Sequence, residues 1–290
     1  MSPVTARKTW RTAEPLHGMI YFAPEATESY TGLGIPTSSG YFASRSAPMG
    51  PVGADVVIAT FFNFHPRVVR PAIPAAWTLA TPEAVLEARV RSADAALRRM
   101  LGEAVESTDM VRAAELARTV ADRAAACVGG RPLFAGHAGL PWPEAPHLVL
   151  WHAQTCLREF RGDGHIAALL LAEIGPVEAL ILHVASGEVP IHFLKSSRGW
   201  SDDEWDAGVE RLRSRGWLDE SDGSGLAMSQ AGMTIRQRVE DETDVLAVYP
   251  YEAIGEDGCT ELRTLTRPFS RTVVAAAGLG VATNPAPPSS

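Results

Sequence analysis

Apolar residues recur at spacings of three and four along most of the chain, and strict alternation is rare. That period predicts a mainly α protein. The densest case is the stretch 148–164. Leu150, Trp151, Leu157 and Phe160 provide bulk at spacings near 3.6, and His152, Arg158, Glu159 and Arg161 interrupt the apolar surface. Gly162-Asp163-Gly164 predicts the end of this helix, because glycine supplies the left-handed geometry that stops helices. A second apolar run then begins at His165. Charged groups on so apolar a helix require partners, since a buried unpaired charge costs several kcal/mol.

The same reading extends in both directions. Residues 1–12 are polar and are expected to be mobile. His17 follows among apolar and aromatic residues, one helical turn before Tyr21. Residues 37–40 read as a loop, 52–64 as a buried helix running into Phe61-Phe62-Asn63-Phe64-His65-Pro66, and 67–77 as a further helix. Thr81-Pro82-Glu83 is a strong helix start: a capping threonine, a proline at the first position and an acid in the first turn. That helix extends to Leu101, and an alanine-rich helix covers 109–127. After Gly175-Pro176 the pattern changes. Helices are predicted over 177–184 and 189–194. Ser201-Asp202-Asp203-Glu204 is a capping box opening a third helix to Arg215. Short strands at 216–218 and 226–228 flank a polar loop. Helices over 230–248 and 260–276 close the chain.

The run Arg211-Leu212-Arg213-Ser214-Arg215-Gly216-Trp217-Leu218, with its polar loop and the return Leu226-Ala227-Met228-Ser229-Gln230-Ala231-Gly232, resembles the MarR-type winged helix. Met228-Ser229 stands where that family has Leu-Thr. The longer pattern, from His17 and Tyr21-Phe22 through Arg158-Glu159 and Arg161-Gly162-Asp163-Gly164-His165 to Arg198-Gly199-Trp200-Ser201, resembles an actinobacterial family of helix-turn-helix proteins. The resemblance implies a helical domain over 1–165 packed on a winged helix-turn-helix domain with a small β-hairpin and C-terminal helices over 166–280. A proline- and serine-rich tail over 281–290 is expected to be disordered. It also implies a recognition helix over 201–215. Its first turn, however, carries Asp202, Asp203, Glu204 and Asp206, which would face phosphates without releasing counterions.

Bulk properties narrow the classes. The net charge of −8 argues against a strong nonspecific grip on nucleic acid. No apolar run is long enough to span a bilayer, and no basic-then-apolar leader is seen at the start. Three cysteines in 290 residues have no metal-ligand spacing and fit a reducing cytoplasm. There is no phosphate loop, dinucleotide fingerprint, nucleophile elbow or zinc-finger spacing, so no cofactor and no metal is expected.

The remaining candidates are polar tips on apolar segments. His17, His65, His152, Asp163 and His165 are the candidate acid–base groups. Histidine suits that role because both its protonation states are accessible near neutral pH. Tyr21, Phe62, Trp151, Arg158, Glu159 and Arg161 are candidate ligand contacts, with an arginine fork facing an anionic group. If these tips converge, they describe a small-molecule pocket; if each is satisfied in the core on its own, they do not. Two function classes stay open. One is a regulator-like small-molecule-binding protein with weak or lost DNA binding. The other is a cofactor-independent hydrolase, lyase or cyclase of secondary metabolism on a degenerate winged-helix scaffold. The expected partner is a small-molecule ligand or substrate, not a membrane. A homodimer stays open, and DNA is disfavoured.

Overall fold

The computed structural model describes residues 1–219 and 225–277. Fifteen α-helices form among them, and no strand. The N-terminal residues expected to be mobile form α1 (Pro3–Gly18) instead. Ala6, Thr9, Ala13 and Leu16 make a buried stripe at helical spacing, and packing against later helices fixes it. Residues 37–40, expected as a loop, are the first turn of α3 (Thr37–Ser46), which follows α2 (Pro24–Gly32). The helix expected over 52–64 is the shorter α4 (Ala54–Phe61), ending where Phe62 adopts φ 53°. The helix expected over 67–77 splits into α5 (Pro66–Val69) and α6 (Ala76–Leu79), because Pro71 and Pro74 lack the N–H a helix interior needs. α7 (Pro82–Leu101) begins where the sequence places it, with Thr81 Oγ1 accepting from the Ala84 N–H at 3.3 Å. α8 (Thr108–Ala124) and α9 (Pro132–Ala138) follow.

α10 (Pro146–Leu171) is the axis of the molecule, packed by α1, α7, α8, α9 and the helix over 230–248. It does not stop at Gly162-Asp163-Gly164. Both glycines stay helical, and the role of Gly164 is space. A Cβ at Gly164 would lie 2.9 Å from Arg131 Nη1 and 3.3 Å from Leu246 Cβ. Asp163 does not disturb the helix, because its carboxylate turns outward and accepts the Phe134 N–H at 2.9 Å. Residue 165 therefore lies inside α10.

Beyond α10 come α11 (Pro176–Ala185), α12 (Ile191–Arg198), α13 (Asp202–Ser214), α14 (Gln230–Val248) and α15 (Gly255–Ala276). The Ser201–Glu204 capping box is present at the start of α13. The expected β-hairpin reduces, among the described residues, to one antiparallel bridge between Leu218 and Met228. The Asp219 N–H to Ala227 O bond at 3.1 Å and the Ser229 N–H to Trp217 O bond at 3.1 Å flank it. Most of the expected wing loop (220–224) and the expected tail over 281–290 lie outside the described residues.

Apolar side chains gather in two cores. One joins α1 to α10 and takes in Cys259, Leu262, Phe269 and Val273 of α15. The other joins the end of α10 to α11, α12, α13 and Val239 of α14. α10 contributes to both, so it links them mechanically.

Candidate functional site

Within the larger core, α10 carries a buried ionic network. Glu159 is 1% exposed, and both its oxygens accept from Arg45 Nη2, at 3.2 and 3.0 Å. Arg158 Nη1 donates to the same oxygens at 2.8 and 2.9 Å. Burial opposes ionisation of Glu159, but Arg158 and Arg45 hold its carboxyl well below the usual carboxylate range. Arg45 also donates to the Tyr41 hydroxyl at 2.7 Å.

His17 and Tyr21 lie on the same side of the molecule, and their hydrogen bonds fix the tautomer. The Thr155 hydroxyl donates to the Trp151 carbonyl at 2.9 Å. Thr155 Oγ1 therefore accepts from His17 Nδ1–H at 2.8 Å, and His17 Nε2 accepts from the Tyr21 hydroxyl at 3.1 Å. Burial, with Arg158 and Arg89 nearby, pushes the His17 imidazole well below its ordinary pKa. With both nitrogens engaged, this histidine has none free for a substrate.

The other sequence-selected residues are dispersed. His65 caps α5 through Nδ1, which accepts the Arg67 N–H at 3.0 Å, and its Nε2–H donates to Glu204 at 2.8 Å. Phe62 packs against the second core. Arg161 pairs with Asp244 at 2.7 Å and with Glu240 at 3.2 Å. His165 Nδ1 donates to Thr243 Oγ1 at 2.9 Å, because that hydroxyl is itself committed to the Val239 carbonyl. Burial raises the Asp163 carboxyl to about 6, against its bond from the Phe134 N–H. Asp163 therefore serves the backbone of α9 and not His165. The structure brings His17, Tyr21, Arg158 and Glu159 into neighbouring buried networks, and it leaves His65, Arg161 and His165 apart from them. Among the described residues, no three of His, Cys, Asp and Glu gather as a metal site requires.

Trp151 and His152 open onto a cavity of about 590 Å³ between α7, α9, α10 and the connector before α10. Its inner wall holds Arg89 and His137, each 1% exposed. Arg89 Nε, Nη1 and Nη2 have no hydrogen-bond partner, and neither do His137 Nε2 and Trp151 Nε1. The guanidinium carbon instead sits 5.4 Å from the Trp151 ring centre and 5.6 Å from that of Tyr21. Trp142 stands edge-on to His152 with ring centres 4.8 Å apart. Burial, then Arg89, lowers His152 to about 4, and burial takes His137 well below its ordinary value. Both imidazoles are therefore neutral at pH 7, and Arg89 is the cationic group of the inner wall. Chemically, this is an apolar chamber, with the unpaired nitrogens of Arg89, His137 and Trp151 buried behind its inner wall.

Arg89, His137 and Trp142 were not selected from the sequence. A signal for Arg89 was present, since it lies four residues after Val85 and four before Ala93, on the buried stripe of α7. A lone arginine in such a stripe needs a partner that the helix itself does not supply.

No curated protein and no solved structure is matched by the chain. A helix-turn-helix family model matches residues 6–280, nearly the whole length. The chain belongs to that helix-turn-helix family.

Proposed function

We propose that this chain is a regulator-like helix-turn-helix protein that binds a small molecule in the cavity between α7, α9 and α10. On this reading α11 to α13 and the 218/228 bridge form a MarR-like winged helix, with α13 as its recognition helix. The observation that carries the ligand-binding part is the cavity itself, about 590 Å³ and walled by Trp142, Trp151, His152, Leu86 and Val90. A concave, largely apolar and aromatic chamber of that size is the form small-molecule sites take. α10 then joins the ligand end to the helix-turn-helix end, since it lines the cavity and contributes to both cores.

DNA binding on this reading is weak. In the first turn of α13, Asp202 pairs with Lys195 at 2.7 Å, and Glu204 is engaged by His65 and Ser201. Asp203 and Asp206 are exposed. A first turn of carboxylates supplies no counterion release on a phosphate backbone.

Native mass spectrometry of the purified full chain tests the reading. A stoichiometric small molecule is expected to co-purify and to leave on denaturation. In an anisotropy titration, random duplex should bind more weakly than the roughly micromolar nonspecific level at physiological salt. Micromolar or tighter binding with a steep salt slope would overturn the weak-DNA part and leave the ligand part standing.

A further inference from the structure

We propose that the segment from Phe61 to Val68, which joins α4 to α5, is a coupling strap that sets the seat of α13 according to the packing of α3. Its action does not depend on what enters the cavity between α7, α9 and α10, so it goes beyond the ligand-binding reading.

The strap alternates between the two cores. Phe61 and Phe64 are buried in the larger one. The Phe64 ring centre lies 5.4 Å from that of Tyr41 and 5.1 Å from that of Phe42, both on α3. Arg45, also on α3, places its guanidinium carbon 4.4 Å from the Phe61 ring centre, and the same arginine donates to Glu159 of α10. Phe62 and His65 turn the other way. Phe62 packs on the second core, and the His65 ring stands edge-on to Trp200 with centres 4.8 Å apart.

Hydrogen bonds then fasten the strap to the α12–α13 turn. The His65 N–H donates to the Arg198 carbonyl at 2.9 Å, and the Trp200 indole N–H donates to the Asn63 carbonyl at 3.0 Å. Arg67 Nε donates to the Gly199 carbonyl. Glu204, in the first turn of α13, accepts from His65 Nε2 at 2.8 Å and from Arg67 Nη2 at 3.5 Å. The fit leaves no room for a side chain on the turn: a Cβ at Gly199, which has φ +78°, would lie 2.5 Å from Val68 Cγ1.

The strap also opens on a strained turn. Phe62 has φ 53° and ψ −66°, and the Asn63 N–H donates to the Phe61 carbonyl at 2.6 Å. That is a γ-turn of the rare, strained kind, on a bulky residue. Such strain persists only where contacts on both sides hold it, and it collects at switching elements. Only Phe62 and Asn63 separate Phe61 from Phe64, so the strap has no slack. Close-packed interiors transmit displacement, and a shift of α3 against Phe61 or Phe64 is passed to the α12–α13 turn.

Hydrogen–deuterium exchange of the full chain tests this, read at residues 199–206 with α7 as the reference. His65→Ala combined with Arg67→Ala should speed exchange at 199–206 by at least about tenfold, the size expected when hydrogen bonds to a charged group are lost, and leave α7 unchanged. Phe42→Leu alters the packing at the other end of the strap. It should speed exchange at 199–206 relative to α7 while the strap is intact, and add nothing there in the His65→Ala, Arg67→Ala background. That non-additivity is the signature of coupling. Equal effects of Phe42→Leu in both backgrounds describe a plain adhesive contact and overturn the proposal. Exchange at 199–206 unchanged by the double substitution overturns it too, as does acceleration spread equally over α7. Should the double variant fail to fold, Glu204→Gln withdraws the charge while glutamine still serves the capping box. It should speed exchange at 199–206 by about tenfold, and unchanged exchange there overturns the strap.

Discussion

Glu159 is the acceptor on which two arginines converge, so replacing it with glutamine is a sharp perturbation. The change keeps the volume and withdraws the charge. Arg45, 7% exposed, is then left with the Tyr41 hydroxyl and no carboxylate. Removing one partner of a buried pair costs about 3–5 kcal/mol. At about 2–4 °C per kcal/mol for a chain of this size, Glu159→Gln should melt roughly 6–20 °C below wild type. Arg158→Ala is the internal control. Its side chain is 26% exposed, and its removal leaves Glu159 with Arg45. The loss should be nearer about 1.5–3 kcal/mol, the range for one hydrogen bond to a charged group. The pH dependence follows from the depressed carboxyl. The stabilisation is fully present above the ordinary value of 4.5 and is lost as pH falls below it, so the gap between wild type and Glu159→Gln should be flat above about pH 5 and close in acid. Circular dichroism melts across that range read both quantities. A Glu159→Gln chain melting within about 1 °C of wild type at neutral pH, less than 1 kcal/mol should produce, would refute the network.

Two further outcomes are expected. His152 is depressed from 6.5 to about 4 in the fold, so its contribution is present above pH 6.5 and lost as pH falls toward 4. Over that window the wild type should lose on the order of 3 kcal/mol more than His152→Phe, measured by urea unfolding at the two pH values, and equal losses would contradict the burial of this imidazole. Gly232→Ala would drive a methyl group into the Trp217 carbonyl where α14 meets the 218/228 bridge, a backbone contact that cannot swing away. It should cost about 1–3 kcal/mol, and an unchanged melting temperature would show that α14 does not approach the bridge so closely.

Features set by local chemistry were legible in the sequence. Thr81-Pro82 opens α7 and Ser201–Glu204 caps α13, because a cap and its recipient N–H groups lie within one turn. Features decided by distant neighbours were not. Gly162-Asp163-Gly164 carries a helix-ending signature, yet the helix continues, and Arg131 and Leu246 take the space that Gly164 leaves. α1 is polar by composition and is held by the residues it packs against. The apolar face of α10 announced that Arg158, Glu159 and Arg161 needed partners, but Arg45 lies 114 positions from Glu159, and no spacing rule reaches that far. The histidines were singled out for being polar in apolar settings, a signal shared by satisfied and unsatisfied groups alike. His17 is satisfied at both nitrogens, while the unselected His137 is not.

The indole N–H signals of the seven tryptophans test the central claim most directly. In a nitrogen–proton correlation spectrum of the full chain, the Trp151 N–H starts without a partner. Those of Trp77 and Trp200 already donate to the Val52 and Asn63 carbonyls. With Trp142 and Trp151 assigned by their phenylalanine variants, the account predicts that stripping the co-purified small molecule moves both resonances and leaves Trp77 and Trp200 in place. Trp142 and Trp151 resonances that stay fixed as the small molecule leaves would contradict it.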